Sequence, residues 1–176
     1  MLEQCLKEDR KAQQALYDRY APILLGICRR YIRSDEDAED VMIEGFFKIF
    51  RNLRQFDRRG SFEGWMKKIM VNEALMWLRK KRLPQSELDE KLPLIQEDTD
   101  LRQFELEGSE IIPLLDQLPD GYRTVFNLYV MEELKHREIA VMLGISINTS
   151  KSQLILAKKK LKQLILEKQT KTQNKS

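Results

Sequence analysis

The chain has 176 residues, 42% of them hydrophobic and 34% charged, with a formal net charge of +3 at neutral pH. This size suits one medium domain or two small ones with modest cores. The charged N-terminus argues against a signal peptide, and no apolar run approaches the roughly 20 residues of a membrane span, so we expect a cytoplasmic protein.

Acidic and basic side chains are unevenly distributed along the chain. Residues 83–108 contain eight acidic and two basic residues, a net charge of −6, so the remainder carries +9. Two basic blocks joined by an acidic connector indicate a polyanionic partner that is contacted at two places. The two cysteines, Cys5 and Cys28, form no closely spaced pair, and we expect both thiols to be reduced.

Helical periodicity dominates, and no stretch alternates well enough to predict a strand. We therefore predict an all-α fold of two small helical domains joined by a flexible acidic linker. The predicted domains are 1–82 and 109–166, with the linker over 83–108 and a polar, frayed tail over 167–176. Steady periodicity is missing from 83–108, which favours a linker there over an additional helix. The predicted helices cover residues 12–32 (with Pro22 as a candidate kink), 35–53, 61–82, 109–118, 122–131, 134–143 and 148–166.

The helix predicted over residues 35–53 has two different faces. One is apolar and is expected to pack inside the domain: Ala38, Val41, Met42, Gly45, Ile49 and Leu53. The other mixes apolar and charged side chains at helical spacing: Asp40, Ile43, Glu44, Phe47, Lys48 and Arg51. Four charged residues on one face fit a fully buried helix poorly, so the second face favours a protein-binding surface.

Aromatic and basic side chains come together before and along the helix predicted over residues 61–82. The loop over 55–60 and the start of the helix interleave them: Phe56, Arg58, Arg59, Ser61 and Phe62. The helix then carries one polar stripe: Lys68, Asn72, Arg79 and Arg82. Aromatic rings beside a basic track are what capture of single-stranded DNA requires. The alternative is structural, because Phe62, Trp65, Ile69 and Trp77 also fit a core, and for Trp65 the core is favoured.

The segment from His136 to Leu161 matches a helix-turn-helix pattern. Its first helix carries an apolar stripe (Ile139, Ala140 and Leu143), Gly144 can take the positive φ that ends it, and Ile145 fills the corner. Asn148 or Thr149 is the expected cap of the next helix, whose exposed face would present Asn148, Lys151 and Ser152 to DNA. The lysines at 158, 159, 160 and 162 suit phosphates.

Two features of this segment leave alternatives open. An ordinary helical hairpin with a solvated lysine face would share part of the pattern. The Ala140, Gly144 and Ile145 spacing coincides with a basic second helix, which favours DNA binding. Ser150 is irregular because this position is usually aliphatic, which indicates either a slightly rotated helix or a partly wet site.

The sequence offers no pattern of catalytic or metal-binding residues. His136 is the only histidine and is expected at a helix start. No metal-ligand spacing, glycine-rich phosphate loop or nucleophile–base pair is present. The carboxylates of residues 35–40 fit helix capping better than a metal site. We therefore expect no enzyme activity, no cofactor and no metal.

Three segments, in this order, resemble the extracytoplasmic-function (ECF) group of bacterial RNA polymerase sigma factors. Residues 37–50 are similar to the polymerase-clamp-binding helix of region 2. Residues 56–82 are similar to the segments that melt the promoter and read its −10 element, and residues 118–161 are similar to region 4. The resemblance covers almost the whole chain. It implies a sigma factor that binds core RNA polymerase, directs it to −10 and −35 elements and promotes DNA melting at initiation.

The resemblance also implies roles for individual residues of region 2. The residues that would dock on the polymerase clamp helices are Asp40, Glu44, Phe47, Lys48 and Arg51. Relatives usually carry glutamine where Ile43 stands. The loop over 57–61 and the next helix would hold a flipped base and follow the −10 strand through Arg58, Arg59, Ser61, Phe62, Lys68, Asn72, Arg79 and Arg82.

For region 4, the resemblance implies contacts to the −35 duplex from Asn148, Thr149, Lys151, Ser152, Ile155, Lys158 and Lys159. Relatives often carry arginine at the positions of Gln153 and Leu156, so base preference does not transfer. The family also implies an anti-sigma partner, and it places the acidic linker in the basic channel of the polymerase.

Two other classes of protein remain as alternatives. A stand-alone DNA-binding regulator would share the helix-turn-helix and use its N-terminal half for dimerisation or sensing, but no ligand pocket or phosphoacceptor pattern supports a sensor. A pure scaffold would show no affinity for DNA. A change of transcription start sites with core polymerase alone would separate a sigma factor from both.

Overall fold

The computed structural model describes residues 2–81 and 108–173, and within those ranges every regular element is helical. The predicted all-α fold is confirmed. The elements in chain order are α1 (Leu2–Leu6), α2 (Arg10–Tyr31), α3 (Asp35–Arg51), a 3₁₀ turn (Leu53–Gln55), α4 (Phe62–Lys81), α5 (Gly108–Leu115), α6 (Asp120–Phe126), a π-helical turn (Asn127–Met131), α7 (His136–Leu143) and α8 (Ile147–Gln173).

The chain separates into two compact units, with the division between residues 82 and 83. The predicted acidic linker over 83–108 lies outside the described residues, apart from Gly108. Among the described helices, no single one is long and apolar enough to cross a membrane.

In the N-terminal unit, α2, α3 and α4 pack against one another. Leu16, Leu24, Ile49 and Met66 are among its fully buried side chains. On each of the three helices the buried side chains recur at helical spacing, so one stripe of every helix is withdrawn from water. The unit's core therefore forms where the three stripes meet.

Helix ends in this unit carry side-chain caps. The Asp9 carboxylate accepts from the Ala12 N–H at 2.8 Å, and the Ser34 hydroxyl accepts from the Asp37 N–H at 3.2 Å. Each cap satisfies an N–H that has no partner inside its helix. The caps therefore fix where α2 and α3 begin.

Both cysteines lie in this unit as free thiols, and both are buried. Burial raises the pKa of the Cys5 thiol, and it raises the pKa of Cys28 to about 12. Neither thiol is therefore ionised to a useful extent near neutral pH.

Several boundaries in the N-terminal unit differ from those predicted. Helix α1 was not predicted, because five residues are too few for periodicity to reveal a helix. Pro22 lies inside α2 without interrupting it. The helix predicted over residues 35–53 ends at Arg51, and a 3₁₀ turn covers Leu53–Gln55. The last predicted residue of the third helix, Arg82, is outside the described residues.

The C-terminal unit is organised around α8, which packs against α5, α6 and α7. Its buried apolar side chains include Leu115, Phe126, Ile139, Ala157 and Leu161. The inward face of α8 therefore holds the three shorter helices together.

One buried ion pair also belongs to this unit. The Arg123 guanidinium, 1% exposed, lies 2.9 Å from the half-exposed Asp116 carboxylate. A guanidinium that is withdrawn from water needs such a partner to offset its desolvation. Because Asp116 directly follows α5 and Arg123 lies on α6, the pair connects these two segments.

The C-terminal boundaries also differ from those predicted. The stretch expected as one helix over 122–131 is α6 followed by a π-helical turn, and α5 ends at Leu115 rather than residue 118. The first helix of the predicted helix-turn-helix begins at His136 rather than residue 134. The frayed tail expected from residue 167 is wrong, because α8 continues to Gln173. No proline or glycine interrupts residues 147–173, so nothing in the sequence stops the helix earlier.

Candidate nucleic-acid and polymerase interfaces

Helix α3 has the two faces that its sequence predicts. The inward set is buried throughout: Ala38, Val41, Met42, Gly45, Ile49 and Leu53. On the opposite side, Asp40, Glu44 and Arg51 are exposed, Ile43 is 44% exposed and Phe47 is 68% exposed. A phenylalanine this exposed, with charged neighbours, is typical of a protein-binding surface. We call Asp40, Ile43, Glu44, Phe47, Lys48 and Arg51 the α3 outer face.

One member of the α3 outer face is held from within the unit. The Lys48 ammonium donates to the Glu73 carboxylate of α4 at 2.6 Å, and the Glu73 side chain is only 11% exposed. Periodicity along α3 gives no sign of this pair, because its partner is 25 residues away. Any docking contact by Lys48 therefore has to share the ammonium with Glu73.

The α3 outer face borders a cavity of about 650 Å³ that α1 helps to enclose. Phe47, Phe50, Arg51, Arg54 and Arg10 are among its lining residues. Three arginines around two aromatic rings suit an apolar side chain with acidic neighbours. The cavity could not be predicted from the sequence, because part of its lining comes from α1, which was not predicted.

The aromatic residues around the 55–62 loop form a single cluster. The Phe56 and Phe62 ring centroids are 5.1 Å apart, and the Phe62 and Trp65 rings stack at 5.7 Å. Tyr20 of α2 meets the Phe62 ring edge-on at 6.3 Å. Phe62 and Trp65 are each half-buried. Part of each of these two rings packs inside the unit, and the rest of its surface is accessible to a ligand.

The loop beside this cluster is shaped by its own polar residues. The Asp57 carboxylate accepts from the Arg59 N–H at 3.0 Å, and the Ser61 hydroxyl accepts from the Gly64 N–H at 3.2 Å. Arg58 adopts a positive φ of 61°, and its guanidinium lies 3.5 Å from the Glu3 carboxylate. Ser61 therefore caps α4, as the sequence predicts.

Helix α4 presents the expected polar stripe, in which Lys68, Asn72 and Arg79 are all exposed. Arg82, the fourth predicted member, lies outside the described residues. At the end of the helix, Lys81 donates to Asp37 at 2.7 Å and lies 4.5 Å from the Trp77 ring centre. The hydrogen bond from Lys81 lowers the pKa of the Asp37 carboxyl.

The turn between α7 and α8 has helix-turn-helix geometry. Gly144 ends α7 with a φ of 68°, in the left-handed region that favours glycine. The two helices are bent by 105°, within the range of such motifs. The predicted cap of the second helix is wrong. Ser146 is the cap, because its hydroxyl accepts from the Thr149 N–H at 2.9 Å.

The predicted DNA-reading residues of α8 divide by exposure. Asn148, Lys151 and Lys159 are exposed, and Thr149, Ile155 and Lys158 are half-buried. The prediction for Ser152 is wrong, because this residue is only 3% exposed. Three helices pack on α8, and Ser152 lies about 100° around the helix from the exposed Lys151, on the side that is buried.

Ser150, the irregular position, is completely buried and has a polar partner. Its hydroxyl lies 2.9 Å from His136 Nδ1, and the His136 ring stacks on Tyr129 with centroids 4.6 Å apart. Burial, followed by the nearby charges of Lys151 and Lys158, lowers the pKa of His136. The buried Ser150 hydroxyl thus has the His136 imidazole as its hydrogen-bond partner, which explains why a serine stands where an aliphatic residue is usual.

Groups of three or more His, Cys, Asp or Glu side chains able to hold a metal ion are absent from the part of the chain that the structure describes.

Two protein-family models match the chain in succession. Sigma-70 region 2 matches residues 16–83, and sigma-70 region 4 matches residues 109–161. Among curated proteins, the chain is 28% identical to the ECF RNA polymerase sigma factor SigW of Bacillus subtilis, over 87% of this chain and 88% of that protein. It is 26% identical to the RNA polymerase sigma-H factor of Pseudomonas aeruginosa, over 90% of this chain and 88% of that protein.

Two solved structures share the fold. One is the sigma factor RpoE of Bartonella quintana in complex with the anti-sigma factor NepR, with a TM-score of 0.52 at 19% identity, covering 88% of this chain and 97% of that one. The other is CnrH in complex with the cytosolic domain of CnrY, with a TM-score of 0.50 at 22% identity, covering 93% of this chain and 94% of that one.

Proposed function

The chain belongs to the sigma-70 family of RNA polymerase sigma factors, in its ECF group, and from this premise we propose how its surfaces divide the work of initiation. Its function is to direct RNA polymerase to promoters at transcription initiation. Its partners are core RNA polymerase and promoter DNA. The observation that carries this conclusion is the match to region 2 and then region 4 across most of the chain.

The α3 outer face is the surface that docks on the polymerase clamp. Phe47 is the apolar anchor, since it is 68% exposed and borders the cavity of about 650 Å³. Asp40, Glu44 and Arg51 surround it with charge that sets the orientation of the partner. Lys48 plays the smaller part, because Glu73 already holds its ammonium.

The loop before α4 captures the −10 element as a single strand. A base that leaves the duplex stacks on the open side of the Phe56, Phe62 and Trp65 cluster. The residues that hold the flipped base and follow the strand are Arg58, Arg59, Ser61, Lys68, Asn72, Arg79 and Arg82. Melting is driven by this capture, which offsets an unstacking cost of a few kcal/mol without any covalent step.

Helix α8 reads the −35 element in the major groove. Asn148 and Lys151, exposed in its first turns, approach base edges, with Thr149 and Ile155 beside them. Lys158 and Lys159 lie two turns further on and contact phosphates. Ser152 is no part of this surface because it is buried.

The same premise extends to regulation and place of action. An anti-sigma protein covers the polymerase-binding and DNA-binding surfaces in the resting cell. The structure of the Bartonella quintana sigma factor RpoE in complex with the anti-sigma factor NepR supports this proposal. The protein acts in the cytoplasm, where RNA polymerase works, uses no cofactor and is not an enzyme. Each step of initiation assigned to it is a binding step.

The direct test is run-off transcription with purified core polymerase and the promoter of the chain's own gene. We expect a specific transcript only when the protein is added. A variant with Phe47→Ala should reduce the yield at limiting protein and recover at excess, because the lost contact affects assembly. A protein that leaves core polymerase unchanged at every concentration would refute the proposal.

A further inference from the structure

A buried polar contact between the two helices of the helix-turn-helix is absent from the roles proposed above. It joins His136, the first residue of α7, to Ser150, on the first turn of α8. Ser150 is 0% exposed, and its hydroxyl lies 2.9 Å from His136 Nδ1. Ser150 directly precedes Lys151, so the contact reaches the part of α8 that faces DNA.

A third residue fixes the orientation of the imidazole. Tyr129 lies on the π-helical turn, and its ring stacks on the His136 ring with centroids 4.6 Å apart and planes 24° apart. Departures from regular helix of this kind are frequent where a side chain must be aimed. The ring of His136 is therefore held in its plane by Tyr129 and along one edge by Ser150.

We propose that Tyr129, His136 and Ser150 form an orientation lock that sets the angle of α8 against α7, and that base discrimination at the −35 element depends on it. This inference rests on the proposed reading of the −35 element by α8. His136 and Ser150 are positioning residues in it, because they act through the neighbouring Asn148 and Lys151.

Hydrogen-bond chemistry explains why this pair is suited to the task. An aliphatic residue at position 150 would pack without direction, whereas a hydrogen bond weakens steeply as its angle departs from linear. Rotation of α8 would also leave a buried hydroxyl without its hydrogen-bond partner, which is unfavourable. The contact therefore resists rotation of α8 as well as its separation from α7.

The neutral imidazole suits this role. It has one donor and one acceptor nitrogen, and the Ser150 hydroxyl can serve either at Nδ1. Burial and the ammonium groups of Lys151 and Lys158 lower the pKa of His136, which favours the neutral ring.

Two matched pairs of variants test the lock in the complete protein. Ser150→Val removes the hydroxyl. Ser150→Thr keeps it, and valine and threonine have nearly the same volume. His136→Gln removes the polar atom from the position of Nδ1, and His136→Asn keeps one there. Each variant is assembled with core polymerase, and its binding is measured on a promoter with an intact −35 element and on the same promoter with that element scrambled.

The readout is the ratio of the two affinities, measured well below the melting temperature of each variant. We expect Ser150→Val and His136→Gln to lower the ratio about tenfold, the order of one lost base contact. Ser150→Thr and His136→Asn should keep it within about twofold of wild type, since their polar atom remains. The affinity for the scrambled promoter should stay unchanged in all four, because phosphate contacts do not depend on the lock.

Two results of the promoter-binding measurement would overturn the inference. One is an unchanged ratio in Ser150→Val. The other is an equal loss of affinity for both promoters, which would mean that the contact only holds the unit together. Because His136 is the only histidine, its ring ¹⁵N resonances provide a second check on free protein. Ser150→Val should shift the Nδ1 resonance and Ser150→Thr should leave it nearly in place, and identical spectra in both variants would also overturn the lock.

Discussion

Two neighbouring phenylalanines of α3 differ strongly in burial. Phe46 is 3% exposed and Phe47 is 68% exposed, although they are adjacent in sequence. Successive residues on a helix are about 100° apart, so one ring faces the core and the other faces solvent. This difference makes them a matched pair for separating stability from binding.

We expect Phe47→Ala to weaken binding to core polymerase about tenfold or more, as loss of an aromatic anchor does. Its free energy of unfolding should change by less than about 0.5 kcal/mol, because the ring makes few contacts. Phe46→Ala should instead destabilise the N-terminal unit by about 3–5 kcal/mol. Binding titrations and denaturant melts measure the two effects, and wild-type affinity in Phe47→Ala would contradict the docking role.

His136 should make the stability of the C-terminal unit depend on pH. Its pKa is lowered in the folded state, by burial first and then by Lys151 and Lys158. The unfolded chain therefore takes up the proton at a higher pH than the folded one. The contribution of His136 to stability is present above its ordinary pKa of about 6.5 and is lost as the pH falls through the lowered value.

Denaturant melts of the wild type and His136→Asn between pH 5 and pH 8, a range that spans the ordinary histidine pKa of about 6.5, measure this effect. The wild type should lose more stability on acidification than the variant, which has no group titrating there. Parallel pH profiles for the two proteins would show that His136 is not the group responsible.

At the scale of elements, the end of α7 depends on the backbone freedom of Gly144. An alanine at this position has room for its Cβ, but the φ of 68° is costly for any residue with a side chain. Gly26 provides a matched control, because it lies inside α2 with open space around it and no positive φ.

We expect Gly144→Ala to destabilise the C-terminal unit by about 1–2 kcal/mol, the cost of the left-handed conformation. Gly26→Ala should stabilise the N-terminal unit by up to about 1 kcal/mol, because alanine is the better helix former. Hydrogen exchange reports on each unit separately. The same chemical change is expected to have opposite effects at the two positions, and stabilisation by Gly144→Ala would contradict the backbone argument.

The sequence predicts helix faces better than helix ends. Both faces of α3 follow from periodicity, because the residues that set them lie on the helix itself. The cap of α8 is different, since Ser146, Asn148 and Thr149 all have suitable side chains and only the path of the turn selects Ser146. The exposure predicted for Ser152 is wrong for a related reason, because its burial depends on how three other helices pack against α8.

At the scale of the whole molecule, promoter binding should depend strongly on salt. Lys151 and Lys159 are exposed on α8, and polar side chains line α4. Each phosphate contact releases a counterion, so affinity for the promoter falls as salt rises from about 50 to 200 mM. Holoenzyme binding that is indifferent to salt over this range would contradict the roles given to the lysines.

A charge-preserving control sharpens this prediction. Lys159→Ala should reduce the slope of log affinity against log salt by about 1, and Lys159→Arg should leave the slope unchanged. Both should keep the preference for an intact −35 element, because a phosphate contact carries no base information. A change of preference in Lys159→Ala would mean that Lys159 contacts a base.

The long-range contacts of the site could not be predicted from sequence. Periodicity placed Lys48 on the α3 outer face, but its pair with Glu73 joins two helices and depends on how they pack. The irregular Ser150 was visible in the sequence, yet its partner His136 lies 14 residues away across a turn. The family resemblance supplied the order of the functional segments, which helical pattern alone does not give.

The two buried thiols make this chain well suited to site-specific labelling. Cys5 is 3% exposed and Cys28 is 0% exposed, and the pKa of Cys28 is raised to about 12. Maleimide reagents attack the thiolate, so the native protein should react slowly with them while an introduced surface cysteine reacts fast. A dye on each unit would then report, by energy transfer, how the distance between the units changes when polymerase binds, without replacement of either natural cysteine.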